Sequence, residues 1–134
     1  MRHSAAAFIL CTILFFSCGR LPTEPTATPM QLGRWAGPEV EITVAVDGAM
    51  FTTGCLRGHM ARPFIDAAGH FRLDAAMESM FGPPLPPPFP HAIVTGRLND
   101  DVLTFTATYD DGHVVGPFTA TFNGEAPRFF PCPP

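Results

Sequence analysis

Short alternating runs closed by turn signals constrain this chain more than any other feature. Val40, Ile42, Val44 and Val46 fall on one face of an extended run while Glu41 and Thr43 fall on the other, and Asp47-Gly48 follows as a hairpin turn. Phe71, Leu73, Ala75 and Met77 alternate with Arg72, Asp74, Ala76 and Glu78 after the turn Asp66-Ala67-Ala68-Gly69. Leu103, Phe105, Ala107 and Tyr109 alternate with Thr104, Thr106 and Thr108, between Asn99-Asp100-Asp101 and Asp110-Asp111-Gly112. A period of two is the strand period, so these runs predict strands joined by tight turns.

The remaining strands follow from the same punctuation. They are expected over 49–56, 58–65, 91–98 and 118–122, with an irregularity at Gly116-Pro117, and a short last one near Pro127 to Phe130 after Asn123-Gly124. Gly82-Pro83-Pro84-Leu85-Pro86-Pro87-Pro88-Phe89-Pro90 cannot be a central strand or a helix and reads as a stiff connection across one end. About eight hairpin-linked strands and no convincing helix give an all-β class. An open meander would leave two exposed edges. A small antiparallel up-and-down β-barrel is therefore the first expectation, and a two-sheet β-sandwich the second.

Composition narrows the function classes. Charged residues make up 15% and the net charge is −4, with no basic cluster after Arg2, so a nucleic-acid partner is not expected. Sixteen prolines and twelve glycines suit short strands and turns, not long helices.

The N-terminus has a different character. Arg2 precedes an apolar or small run from Ser4 to Phe16, too short to span a bilayer and fitting a signal-peptide core. Leu14-Phe15-Phe16-Ser17-Cys18-Gly19 resembles the lipobox of bacterial lipoproteins, with Phe15 standing where leucine is usual. That resemblance implies cleavage before Cys18, lipid attachment at Cys18, and a membrane partner through that anchor. The domains expected are a lipoprotein signal peptide at 1–17, a lipidated Cys and Thr/Pro-rich tether at 18–31, and the β-barrel domain at 32–134. Gly19 is not the aspartate that retains some lipoproteins at the inner membrane. The implied location is the bacterial cell envelope, periplasm-facing, with the outer membrane favoured.

Four cysteines are present, and Cys11 leaves with the signal. Lipidation of Cys18 leaves Cys55 and Cys132 to form a disulfide, consistent with an exported chain. The competing Cys/His metal site needs four converging ligands, and His59, His70, His91 and His113 have no such spacing. No metal and no cofactor are expected.

Gly33-Arg34-Trp35, which contains the chain's one tryptophan, looks like the Gly-x-Trp opening of lipocalins and related calycin barrels. The resemblance implies that Trp35 closes one barrel end and that an arginine of the last strands, here Arg128, packs across its ring. The body also resembles a family of small bacterial lipoproteins of unassigned function. It carries their Trp35, Cys55, Pro-rich loop at Pro83 to Pro90, Gly-Pro-Phe-Thr at Gly116 to Thr119, and Cys132.

The sequence offers no enzyme site. Ser79 has no local acid or base, and Asp100-Asp101 and Asp110-Asp111 sit in turns that favour aspartate on backbone grounds. No catalytic residue is expected. The first functional expectation is an anchored, non-catalytic interaction or structural module with an envelope protein partner. The alternatives are a carrier or sensor of a small apolar ligand, whose site residues the sequence does not name, and a periplasmic protease inhibitor using its N-terminal segment. The facing of the strands separates the first two: inward phenylalanines fill the barrel, inward threonines line a pocket.

Overall fold

A computed structural model describes residues 26–81, 83 and 87–128. The signal peptide, Cys18 and Cys132 therefore lie outside the described residues. Ten strands run in chain order: β1 Thr28–Pro29, β2 Gly33–Ala36, β3 Val40–Val44, β4 Ala49–Thr53, β5 Leu56–Met60, β6 Phe64–Ile65, β7 His70–Ser79, β8 His91–Asn99, β9 Val102–Tyr109 and β10 Val114–Phe122. Eight of them close an antiparallel barrel in the order β10-β2-β3-β4-β5-β7-β8-β9, and β1 and β6 form a separate two-stranded ribbon. The up-and-down barrel is thus the observed architecture, and no helix occurs among the described residues.

Antiparallel neighbours in register share a face, so the ladder assigns the interior directly. Trp35 pairs with Phe122 on one side and Ile42 on the other; Ile42 pairs with Phe51, Phe51 with Gly58, and Gly58 with Met77. A second inward layer runs Phe71, Gly96, Phe105 and Phe118. Trp35, Ile42, Phe51, Met77 and Phe105 are all fully buried. The Phe51 and Phe105 rings meet edge-on at 5.3 Å, and Phe105 and Phe118 at 5.4 Å, within the range where aromatic pairs add to area burial. The threonine row points outward: Thr104, Thr119 and Thr121 are exposed, and the Thr95 and Thr106 hydroxyls meet at 3.3 Å on the outer face. The phenylalanines face inward, and an eight-stranded barrel is narrow enough for side chains to fill it.

Two glycines make that filling possible. A Cβ at Gly58 would run into the Phe51 ring, and one at Gly96 into the rings of Phe71 and the Cβ of Phe105. The missing side chains are replaced by aromatic rings from neighbouring strands, and packing stays dense.

Several expectations change, among them the strand expected over 49–56, which stops at Thr53 and leaves Cys55 in a turn. The eighth barrel strand is not near Pro127 to Phe130 but is Gly33–Ala36, the Trp35 stretch itself. Pro127 and Arg128 are outside any strand, because the Asn123-Gly124 turn carries the chain off the ladder, with Asn123 in a left-handed conformation at φ 53. The run expected over 58–65 divides at Pro63, which cannot donate to a ladder; β5 stops at Met60 and β6 pairs with β1 instead. Val46 is not on the inner face with Val40, Ile42 and Val44: it lies in the β3–β4 turn and is 77% exposed.

The tether's last residues belong to the folded body. Thr28 and Pro29 pair with Ile65 and Phe64. Met30 is 1% exposed and sits in the core cluster. Its amide donates to the Pro63 carbonyl at 2.8 Å, and its carbonyl accepts from Arg62 Nη2 at 2.6 Å and Nε at 3.0 Å. Met30 and Pro63 plug the end of the barrel at which the chain enters.

Candidate functional site

Barrel closure is built on the shortest pairing. Only Thr121↔Ala36 and Phe122↔Trp35 join β10 to β2. The Trp35 indole packs edge-on against Phe122 at 5.3 Å and 67°, and its Nε1 donates to the Gln31 carbonyl at 3.2 Å. The tryptophan therefore joins three segments, namely the incoming chain, β2 and the end of β10. Arg34, on the opposite face of β2, adds a clamp: its Nε donates to Glu41 Oε2 at 3.0 Å and its Nη1 to the Gly124 carbonyl at 3.1 Å.

The closing pair expected from Trp35 and Arg128 is not formed. Arg128 is exposed, and the ring on Trp35 is Phe122. The register explains it: Phe122 stands directly across from Trp35, and the turn at Asn123 and Gly124 then leads the chain over Ala36 toward Arg128. The chain's own arginine at the closure is Arg34, acting from outside on backbone and carboxylate.

The segment after β10 makes one wall of a surface cleft of about 660 Å³. Gly37, Pro38 and Glu39 form the second wall, Thr119 to Thr121 the floor, and Glu125, Ala126 and Arg128 the first wall. Gly37 permits the close approach of the two strands, since a Cβ there would collide with the Thr119 carbonyl. Thr119 and Thr121 bring the outer face of β10 to the cleft, while Ala120 between them belongs to the core. The charged groups of the cleft are Glu39, Glu125 and Arg128, placed at its margins by turns and not by the ladder.

Cys55 occupies the β4–β5 turn, next to Thr53, whose buried hydroxyl accepts from the Leu56 amide at 3.2 Å. It is half-buried at the barrel end opposite the chain's entry. Its expected partner Cys132 lies outside the described residues.

The titratable residues singled out in the sequence are dispersed. His59, His70, His91 and His113 are all exposed, and among the described residues no group of three or more His, Cys, Asp or Glu could hold a metal ion. His59 Nε2 and Arg57 Nη1 approach Glu78 Oε2 at 3.7 and 3.8 Å, long contacts on a half-exposed wall that contribute little. The aspartates serve turns: Asp111 Oδ1 accepts from the His113 amide at 2.9 Å, and Asp66 Oδ1 from the His70 and Ala68 amides at 2.8 and 2.9 Å. The His70 amide bond, foremost, holds the Asp66 carboxyl below its usual range. Burial, and secondarily the Asp111 charge, pushes the Tyr109 phenol up. Ser79 Oγ accepts from the Phe81 amide at 3.2 Å and so shapes the turn after β7.

Together these define a class, a closed eight-stranded antiparallel barrel compatible with the lipocalin-like type, with a packed interior and a cleft beside the β10–β2 closure. No protein-family model matches the chain, and neither any curated protein nor any solved structure does.

Proposed function

We propose that this protein is a membrane-anchored bacterial envelope lipoprotein of lipocalin-like barrel type, acting without catalysis as an interaction or structural module. The observation that carries the non-carrier part is the inward facing of Phe51, Phe71, Phe105 and Phe118, which fill the space a lipocalin-like ligand would need. The anchor rests on the lipobox-like Phe15-Phe16-Ser17-Cys18, and the proposed Cys55–Cys132 disulfide on the cysteines that remain. Lipidation places the domain on the periplasmic side, and Gly19 favours the outer membrane.

Expression of the full chain in a bacterium, followed by membrane fractionation and intact-mass measurement, tests this. The expected product begins at Cys18, carries diacylglycerol, stays with the membrane through a high-salt wash and weighs two hydrogens less than its reduced form. Recovery of an unlipidated chain in the soluble periplasmic fraction overturns the anchoring.

One observation favours a second reading. The external cleft of about 660 Å³ is of ligand size. A carrier of a small apolar molecule would use the exposed Pro38 and Ala126 there, and not the lumen. A small molecule that co-purifies with the folded protein and is lost on substitution of the exposed cleft residue Ala126→Arg favours this reading over the first.

A further inference from the structure

The up-and-down winding sorts every connection to one of two barrel ends. The β3–β4 turn, the β5–β7 connection containing β6, the β8–β9 turn and the approach to β2 lie at one end. The chain enters at that same end, through β1. Large apolar side chains stand exposed there: Val46 at 77%, Phe64 at 56%, Leu32 at 42% and Val102 at 42%. Val46 occupies the β3–β4 turn, and Phe64 lies beside Pro29 of the entering segment.

Resting on the anchored-lipoprotein reading, we infer that this end of the barrel docks on the lipid surface, with Val46 and Phe64 reaching into the interface. The length of chain before the fold selects the end. From Cys18 to Thr28 an extended chain spans at most about 35 Å. At about 3.3 Å per residue and a tilt near 40°, the long strand β7 gives the barrel a height of about 25 Å. The opposite end also exposes apolar residues, Met80, Phe81 and Val114. Bringing that end to the bilayer would use most of the tether in running back along the barrel wall. The entry end reaches the surface with chain to spare, and the anchor keeps it there at high local concentration.

Charge refines the kind of surface. Asp47, Asp66, Asp100 and Asp101 occupy the connections of the docking end. Against these four stand Arg62, which keeps its charge while donating to the Met30 carbonyl, and Arg97 beside His70, with Arg34 offset by Glu41, so the rim is net acidic. An acidic rim is repelled by anionic headgroups. The docking end therefore prefers zwitterionic lipid.

The test uses residues 18–134 joined at the N-terminal residue to a phospholipid by enzymatic ligation, so anchoring is supplied whatever the cell does. Hydrogen exchange is followed in phosphatidylcholine vesicles and in solution. Amides of 45–48 and 64–65 are expected to exchange about tenfold more slowly on the vesicle. The paired substitution Val46→Ser and Phe64→Ser, at exposed positions, returns them to the solution rate, and phosphatidylglycerol in the vesicle weakens the protection. Unchanged exchange at 45–48 and 64–65, or protection at Met80, Phe81 and Val114 instead, overturns the docking. The mass of the cell-made chain tests the anchor separately: a lipid-free Cys18 removes the anchoring reading, and absent protection in the ligated chain removes the docking alone.

Discussion

Phe51 stands directly across the ladder from Gly58, and its ring occupies the volume that a side chain on Gly58 would need. The pair is the simplest statement of how this barrel is filled. A strand position is left bare so that an aromatic ring from the next strand can lie across it. Gly96 repeats the device between Phe71 and Phe105.

Gly58→Val is therefore expected to destabilise the fold by about 2 kcal/mol through overpacking. Pairing it with Phe51→Leu should recover part of that loss, so the two changes should be non-additive in a double-mutant cycle. Urea denaturation of the four proteins measures it.

Trp35 is 2% exposed and holds three segments together. As the chain's one tryptophan, it should emit at short wavelength in the folded protein and resist iodide quenching. Trp35→Ala should cost about 3–5 kcal/mol, whereas Arg128→Ala should change stability by no more than about 0.5 kcal/mol. A large loss on Arg128→Ala would point to a guanidinium–indole pairing in place of the Phe122 contact on Trp35.

Met30 tests where the tether ends. It is buried beside Pro63 and its carbonyl takes both Arg62 bonds. Met30→Ala should destabilise by about 2–5 kcal/mol, and Arg62→Ala by about 1.5–3 kcal/mol. Thr26→Ala and Ala27→Ser, at exposed positions just upstream, should leave the urea midpoint unchanged.

Asp66 gives a pH signature. Its folded-state pKa lies below the ordinary aspartate range, chiefly through the His70 amide. A carboxyl depressed on folding contributes stability that is present above its unfolded pKa and is lost as pH falls through the folded value. The thermal midpoint should fall below about pH 4, and Asp66→Asn should flatten that acid limb while leaving its shape near neutrality unchanged. Thermal melts across the acid range compare the two.

Much of the barrel was legible because long alternating strands announce themselves. β7, β8 and β9 run eight to ten residues, and Phe71 to Met77 and Leu103 to Tyr109 read correctly as rows sharing one face, though not, from the sequence, as the inner one. The turn aspartates were legible for the same reason that they are useful, since Asp66 and Asp111 bond their own backbone. The short elements were not. β2 has four residues and β1 and β6 two each, too few to show a period. Gly33-Arg34-Trp35 reads from the sequence as the opening of the fold, yet its place as the closing strand depends on the β10–β2 register. Gly58 reads from the sequence as a strand start, but β5 begins at Leu56. The match of Gly58 to Phe51 arises only when the strands are paired, and local patterning holds no record of it. The external cleft arises from the path after Asn123, which left no pattern between Glu125 and Arg128.

The central claim is that the lumen is packed by its own side chains and carries no cargo. Native mass spectrometry of residues 19–134, exported, oxidised and purified without denaturation, tests it most directly. The account predicts the bare polypeptide mass. A reproducible added mass, lost on denaturation and retained by the cleft substitution Ala126→Arg, would place a ligand among Phe51, Phe105 and Phe118 and contradict it.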